Sequence, residues 1–345
     1  MKILFAAGGS GGHITPALAV ADIAKSQGVD CVFVGTGKQL ERHLVENSGF
    51  RYRETPAIAV TGKGVKAIFR LTVSLPVLLF KAISLLRSEK PNLVFGTGGY
   101  PSVMPVVASL FLGIPRVIFE PNSKPGLANR VLSRIATKTV TVKGTSGLPK
   151  VDMKVNFPVR ASFSKITPWQ MPEEGSRIRV LVLGGSQGAK NLNMAILELL
   201  QSCSKDIEVT VQAGVKHEQE IRALLPQANV IGFSDDIPGL MSQAQLIISR
   251  AGANSVAEIL EAKRPCIFVP LSIAEGHQRD NVLELEKQGK GWILQDDQAL
   301  AGNIIRLVRE LVEDKQKLQV VVDKIQSDAS STGAEEIFRW LKVET

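Results

Sequence analysis

Strand-length apolar segments alternate with helix-period stretches along nearly the whole chain. The first set is Lys2 to Ala7, Cys31 to Val34, Leu93 to Phe95, Arg116 to Phe119 and Lys138 to Val142, with helical segments such as Pro16 to Gln27 between them. This alternation predicts an α/β domain with a parallel sheet covered by helices. The pattern then restarts, with strands expected at Arg179 to Leu183, Glu208 to Gln212, Asn229 to Ile231, Gln245 to Ser249 and Cys266 to Val269, and closing helices from about Asp297. Between the two halves, Phe157-Pro158-Val159-Arg160 and the polar stretch Lys165 to Gly175 read as a hinge or linker. The expected domains are 1–158 and 159–332.

Each half opens in the same way. Ile3 to Ala7 runs into Gly8-Gly9-Ser10-Gly11-Gly12-His13, and Val180 to Leu183 runs into Gly184-Gly185-Ser186-Gln187-Gly188-Ala189. A strand that breaks into a glycine turn and then a helix gathers main-chain N–H groups and the positive end of the helix at one spot, which attracts phosphate. Two such turns suggest two nucleotide-type domains facing each other, with a substrate in the cleft between them. At 345 residues the chain can bury two cores. Three widely spaced cysteines, Cys31, Cys203 and Cys266, fit neither a disulfide framework nor a zinc site, and no signal peptide is visible.

The net charge of +8 is uneven. Residues 1 to 158 hold 20 Lys and Arg against 8 Asp and Glu, whereas the remainder is mildly acidic. An anionic partner met by the first half is expected, either nucleic acid or a lipid surface on charge alone. With two tyrosines and few aromatics, single-strand nucleic-acid binding by stacking is disfavoured. The run Ile68 to Leu86 is strongly apolar but is broken by Arg70, Pro76 and Lys81, so it falls short of the ~20 residues that span a bilayer. Arg51 to Lys90 carries eight basic and two acidic residues around these apolar ones. That composition suits a segment lying on an anionic membrane surface, and equally a core helix with solvated lysines.

The first turn departs from a dinucleotide fingerprint, because Ile14 stands where the third glycine of G-x-G-x-x-G belongs. His13 enters the helix just before Thr15 and Pro16, and its company of four glycines favours a general base over a polar turn residue. A further loop, Gly96-Thr97-Gly98-Gly99-Tyr100-Pro101-Ser102, also follows a strand, so two glycine loops in one half could hold one diphosphate. In the second half, Ser249 to Glu258 follows a strand and enters a helix, placing the Glu258 carboxylate where it could accept both hydroxyls of a ribose. Pro270 to Asn281 is rich in amide and imidazole groups suited to sugar hydroxyls, or to capping. No Asp-x-Asp and no metal-ligand spacing occur, so no metal or cofactor is expected, and Asp235-Asp236 and Asp296-Asp297 read as turn or cap residues.

In this order and spacing, Gly8 to His13, Gly96 to Ser102, Gly184 to Ala189, Gly252 to Glu258 and His277-Gln278 with Asn281 resemble a known family over essentially the whole chain. It is the bacterial family 28 glycosyltransferases that add N-acetylglucosamine (GlcNAc) to undecaprenyl-diphospho-N-acetylmuramoyl-pentapeptide (lipid I), making lipid II for peptidoglycan. The resemblance implies a GT-B fold: two Rossmann-like domains with parallel sheets facing across a deep cleft. It implies that the second domain takes UDP-GlcNAc and the first takes lipid I, with the C-terminal helix of about 333–345 packing back on the first. His13 would be the catalytic base. Ser10, Gly11, Gly12, Asn122, Arg160, Ser186, Ser234, Ala253, Asn254, Ser255, Glu258, Gln278 and Asn281 would serve the donor. Among these, Ser186 and Arg160 would meet phosphate, Glu258 the ribose, Gln278, Asn281 and the Ala253 main chain the GlcNAc, and the main chain near Phe233 and Ser234 the uracil. Gly9, Gly12, Gly98, Gly99 and Tyr100 would hold the acceptor diphosphate.

The same resemblance implies an inverting N-acetylglucosaminyl transfer in cell-wall synthesis, and with it a role in cell shape and division. It further implies peripheral attachment to the cytoplasmic face of the inner membrane through about residues 63–87, no nucleic-acid partner, and room for contacts with cell-wall synthesis proteins. The family usually reads His-Glu-Gln-Asn and Gly-Asn-Pro-Val-Arg where this chain has Phe119-Glu120-Pro121-Asn122 and Asn156-Phe157-Pro158-Val159-Arg160. These departures are expected to bear on the acceptor side and the hinge. The alternatives are a GT-B enzyme with another lipid-linked acceptor, a UDP-GlcNAc 2-epimerase, or a non-catalytic sugar-nucleotide binder.

Overall fold

The computed structural model describes residues 1–57, 65–184, 190–214, 217–271, 277–327 and 333–344, and the side chains of these except 65–73, 190, 277, 343 and 344. Contacts divide the chain into one unit of Met1–Arg160 with Ser330–Thr345 and another of Ala161–Ala329.

The first unit is built on a seven-stranded sheet. Its strands are β1 (Lys2–Ala6), β2 (Asp30–Gly35), β3 (Arg51–Glu54), β4 (Leu93–Gly96), β5 (Arg116–Glu120), β6 (Lys138–Val142) and β7 (Met153–Val155). They lie in the order β3-β2-β1-β4-β5-β6-β7, every pair parallel. Ile3, Leu4, Phe5 and Ala6 are all buried because helices cover both faces, which explains why the strand is an unbroken apolar run. On one face Ile3 and Phe5 join Phe33, Phe95 and Phe119 beneath helices Gly11–Ser26 and Gly333–Glu344, which pack on each other. On the other face Leu4 and Ala6 meet Ala82 and Leu86 of helix Val65–Glu89 and Val106 of helix Tyr100–Phe111.

The second unit repeats the plan. Its strands are β8 (Ile178–Leu183), β9 (Ile207–Gln212), β10 (Asn229–Ile231), β11 (Leu246–Ser249), β12 (Cys266–Phe268) and β13 (Trp292–Ile293), again all parallel, in the order β10-β9-β8-β11-β12-β13. Helices Lys190–Cys203 and Leu300–Glu313 pack together over one face, burying Leu192, Ile196, Leu199, Ile304 and Val308. In both sheets the strand order reverses beside the first strand, so the loops after β1 and β4, and those after β8 and β11, flank a switch point where α/β proteins bind ligands.

Three strands escape the periodicity. β3 reads Arg-Tyr-Arg-Glu with only Tyr52 buried, and β7 and β13 are three and two residues long. The first helix begins at Gly11, not near Pro16 as the apolar pattern suggests, so Gly11, Gly12 and His13 already belong to its first turn. All three cysteines are free and buried, and burial pushes the Cys31 thiol up to about 12.

Candidate active site

The first site is assembled where β1 and β4 run side by side. Ala6 pairs with Gly96, and the Thr97 N–H donates to the Ala6 carbonyl at 3.2 Å, so the two glycine loops leave the sheet from neighbouring points. Ser10 is the N-cap of helix Gly11–Ser26, with extended backbone and a hydroxyl that makes no capping bond. Gly99 plays the same part for helix Tyr100–Phe111. The first N–H groups of a helix have no intrahelical partner, so both loops offer main-chain donors. Gly98 and Gly99 take φ of 87° and 72°, which a side chain at either position would oppose. The loops also touch: Tyr100 and Pro101 lie against Gly9, and the His13 ring lies against Gly99.

His13 Nδ1 is 2.9 Å from the Thr97 carbonyl oxygen. A carbonyl only accepts, so Nδ1 carries a proton, and in the neutral ring Nε2 presents a lone pair. A ring held in this way can take a proton from a substrate hydroxyl at Nε2. Lys38, at the start of helix Gln39–Asn47, places its Nζ over the Tyr100 ring at 5.6 Å from the centroid, adding a cation beside the loops.

Two side chains that were not among the expected site residues, Asn129 and Glu120, organise this site. Asn129, buried on helix Leu127–Leu132, lies against Gly98 and donates to the Phe119 carbonyl and to Glu120. Buried Glu120 also accepts from the main-chain and side-chain nitrogens of Asn122, both at 2.9 Å. Asn122 is thus oriented by Glu120 within the first unit. Arg160 closes that unit, where its charge acts on Asp22 of the first helix; burial there raises the Asp22 carboxyl and Arg160 works against that rise. Of the departures from the family pattern, Phe119 is fully buried and stacks on Phe95 at 6.3 Å, and Phe157 packs on the same core. The Phe119 ring therefore touches the core.

In the second unit the loop after β11 leads through Gly252, the N-cap, into helix Ala253–Glu261, with Ala253, Asn254 and Ser255 in its first turn. Glu258 is buried on this helix, and Asn254 Nδ2 donates to it at 2.9 Å. Arg250, equally buried, donates to Asp296 at 2.8 Å and to the Val269 carbonyl, anchoring the base of the loop. Asn281 Nδ2 donates to the Ala251 carbonyl at 3.0 Å, and Gln278 Oε1 accepts from the Leu271 N–H at 3.0 Å. Both amides thus hold the loops after β11 and β12 with one end. Ser234 Oγ accepts from the Asp236 N–H, and Asp236 caps helix Ile237–Gln243. Ser186, the whole of Gly185 to Ala189, and the side chain of His277 lie outside what the structure describes.

Three helices on the outer face of the first sheet, Val65–Glu89, Tyr100–Phe111 and Leu127–Leu132, pack side by side. The first turns Leu78, Ala82 and Leu86 to the core, yet Phe80 on its outer side is 71% exposed, as are Phe111 (65%) and Leu127 (77%) on its neighbours. Lys81, Arg87, Arg130 and Arg134 are exposed on or just after these helices. Among the described residues no helix is long and apolar enough to cross a membrane, and no cluster of three metal-ligating side chains occurs.

Residues 3–141 match the glycosyltransferase family 28 N-terminal domain, and residues 179–337 match the family 28 C-terminal domain. A UDP-N-acetylglucosamine--N-acetylmuramyl-(pentapeptide) pyrophosphoryl-undecaprenol N-acetylglucosamine transferase of Geobacter sulfurreducens is 31% identical over 353 residues, covering 98% of this chain and 97% of its own. The enzyme of the same name from Alcanivorax borkumensis is 34% identical, covering 96% and 95%. Among solved structures, Acinetobacter baumannii MurG superposes with a TM-score of 0.76 at 26% identity over 99% of both chains. The Streptomyces glycosyltransferase SsfS6, solved with thymidine diphosphate, has a TM-score of 0.64 at 15% identity over 99% of both and shares the fold.

Proposed function

The chain belongs to glycosyltransferase family 28, with its GT-B pair of Rossmann-like units, and we infer that it transfers GlcNAc from UDP-GlcNAc to lipid I, forming lipid II and UDP. The observation that carries the mechanism is the His13 ring, whose Nδ1 is held by the Thr97 carbonyl beside the two glycine loops. The C4 hydroxyl oxygen of the muramoyl sugar attacks the anomeric carbon of GlcNAc as its proton passes to His13 Nε2. The bond from that carbon to the diphosphate breaks, and UDP leaves with the electron pair. Configuration at the anomeric carbon inverts, giving a β1,4 linkage.

In this reading the acceptor diphosphate lies on the main-chain donors around Gly12, Gly98, Gly99 and Tyr100, where helix entrances favour negative charge, while Gly9, whose N–H is bonded to Glu41, shapes the loop without donating to the diphosphate. Ser10, Gly11 and Gly12 also border the donor sugar, as does Asn122, which Glu120 orients. Glu258, with Asn254 against it, takes the ribose, while Gln278 and Asn281 read GlcNAc hydroxyls beside Ala253 and Ser255. The uracil lies on main chain near Phe233 and Ser234, and Ser186 and Arg160 stabilise charge developing on the leaving diphosphate.

Exposed Phe80, Phe111 and Leu127 with the surrounding lysines and arginines support peripheral attachment to an anionic membrane surface through about residues 63–87 and the adjoining helices. A membrane-borne acceptor calls for such a surface, on the cytoplasmic face where UDP-GlcNAc is available. The experiment that tests the function is transfer of labelled GlcNAc from UDP-GlcNAc to a lipid-linked muramoyl-pentapeptide, with mass spectrometry of the product. A gain of one GlcNAc with UDP release is expected; donor binding without product would assign a different acceptor.

A further inference from the structure

We propose that Glu41 is a positioning residue for the transfer, holding the first glycine loop in shape through the Gly9 main chain. Glu41 lies on helix Gln39–Asn47 and is 1% exposed. Four donors converge on its carboxylate, two at each oxygen. Oε1 accepts from the Gly9 N–H at 2.6 Å and the Thr36 hydroxyl at 2.9 Å, and Oε2 accepts from the Thr36 N–H at 2.6 Å and the Tyr52 hydroxyl at 2.8 Å. Tyr52 in turn accepts from the Gly37 N–H at 2.9 Å. A carboxylate has only acceptor sites, so all four donors are met; a carboxamide would turn its own N–H groups against two of them.

The need for this side chain arises in the backbone. The last main-chain bond from this loop to the sheet is from Ala7 N–H to the Val34 carbonyl, beyond which the chain turns away with Gly9 at φ 86°. The Gly9 N–H then faces the interior, where an unmet donor costs about 1–3 kcal/mol. Glu41 meets it and ties the loop to the ends of β2 and β3. The neighbouring glycines fit this contact: a Cβ on Gly8 would lie 3.1 Å from Glu41 Oε1, and one on Gly35 only 2.5 Å from Oε2. A Cβ on Gly11, by contrast, would meet nothing within 4 Å. The glycine-rich turn thus divides its labour. Gly8 and Gly35 leave room for the buried carboxylate, Gly9 gives it a main-chain N–H, and the stretch from Ser10 to Gly12 keeps its donors for the ligand. With Gly9 held, it keeps its contact with Tyr100, and His13 keeps its place against Gly99.

The consequence for the reaction rests on the proposed acceptor site at these loops, and the experiment separates the two. In full-length protein, Glu41→Gln is compared with Glu89→Gln, a second buried glutamate of the same unit, which accepts from Lys2 at the start of β1 and from Arg53 of β3. Both variants are assayed well below their melting temperatures, with donor affinity measured by calorimetry and Gly9 amide exchange followed by NMR after 15N-glycine labelling. Expected for Glu41→Gln are faster Gly9 exchange and an acceptor KM raised about tenfold or more, with a smaller change in the donor Kd. Glu89→Gln should leave both readouts at the wild-type level. Equal acceptor kinetics in the two variants, or wild-type protection of Gly9 in Glu41→Gln, would overturn the positioning role. Absence of product with the wild-type protein would instead overturn the acceptor reading, while Gly9 exchange would still judge the hold of Glu41 on the loop.

Discussion

The Thr97 carbonyl oxygen accepts a hydrogen bond from His13 Nδ1 at 2.9 Å, and this contact, between residues 84 apart in the chain, selects which ring nitrogen is available for chemistry. Nε2 is left to accept a proton, and the second glycine loop thereby orients the base carried by the first. Replacing His13 with Ala should lower turnover by about two orders of magnitude or more while UDP-GlcNAc binding persists. Steady-state kinetics beside calorimetry test this, and undiminished turnover would remove His13 from the base role.

Glu258 is the buried carboxylate of the second site, with Asn254 donating to it one helical turn earlier. Glu258→Ala should weaken UDP-GlcNAc binding by about tenfold or more, as expected for loss of charged hydrogen bonds to a sugar. Asn254→Ala, which removes only the orienting amide, should cost less. An unaltered donor dissociation constant in Glu258→Ala would sink the ribose assignment.

Glu89 is nearly buried, which by itself raises its carboxyl. Hydrogen bonds from Arg53 and Lys2 and the charges of Lys2 and Arg51 outweigh that burial, and the group titrates below its ordinary value of 4.5. A depressed native value means stability that is present above about pH 4.5 and lost as the pH falls through the lower native value. Melting temperatures measured from pH 7 downward should therefore fall for the wild type on the acid side, and fall less steeply for Glu89→Gln, which starts lower. Parallel acid limbs in the two proteins would contradict the linkage.

Phe80 and Phe111 stand out on adjoining helices with no core to fill. Replacing both with Ser should reduce cosedimentation with vesicles containing anionic phosphatidylglycerol by about tenfold or more, given about 1.5–3 kcal/mol for burying each ring. Transfer to a short-chain soluble acceptor should be retained. Equal partitioning of variant and wild type would move the membrane contact elsewhere.

Much of the fold was legible because β1, β4, β8 and β11 are buried almost throughout and so appear as apolar runs that lead into glycine turns. β3 was not, since Tyr52 is the single buried side chain among charged neighbours. The helix start at Gly11 was hidden by its own glycines, whose weak helix preference is overridden by the position of the turn above the sheet. Glu41 left one local sign: it stands four residues before buried Val45 on the same helix face. Thr97 left none for its role, because it acts through a main-chain carbonyl that every residue possesses.

The residues alone determined that the chain is two α/β halves, each opened by a glycine turn, and their order and spacing pointed to the family. Those features are local periodicities and turn chemistry, which a chain carries wherever it goes. The tertiary structure decided which groups meet: Thr97 with His13, Glu41 with Gly9, Asn129 with Gly98. It also showed that Gln278 and Asn281 each spend one end on a loop, and that Phe119 fills the core. The physical reason is that strand order, set by how the whole sheet buries its apolar faces, brings distant loop ends together, and a hydrogen bond exists only once that geometry does.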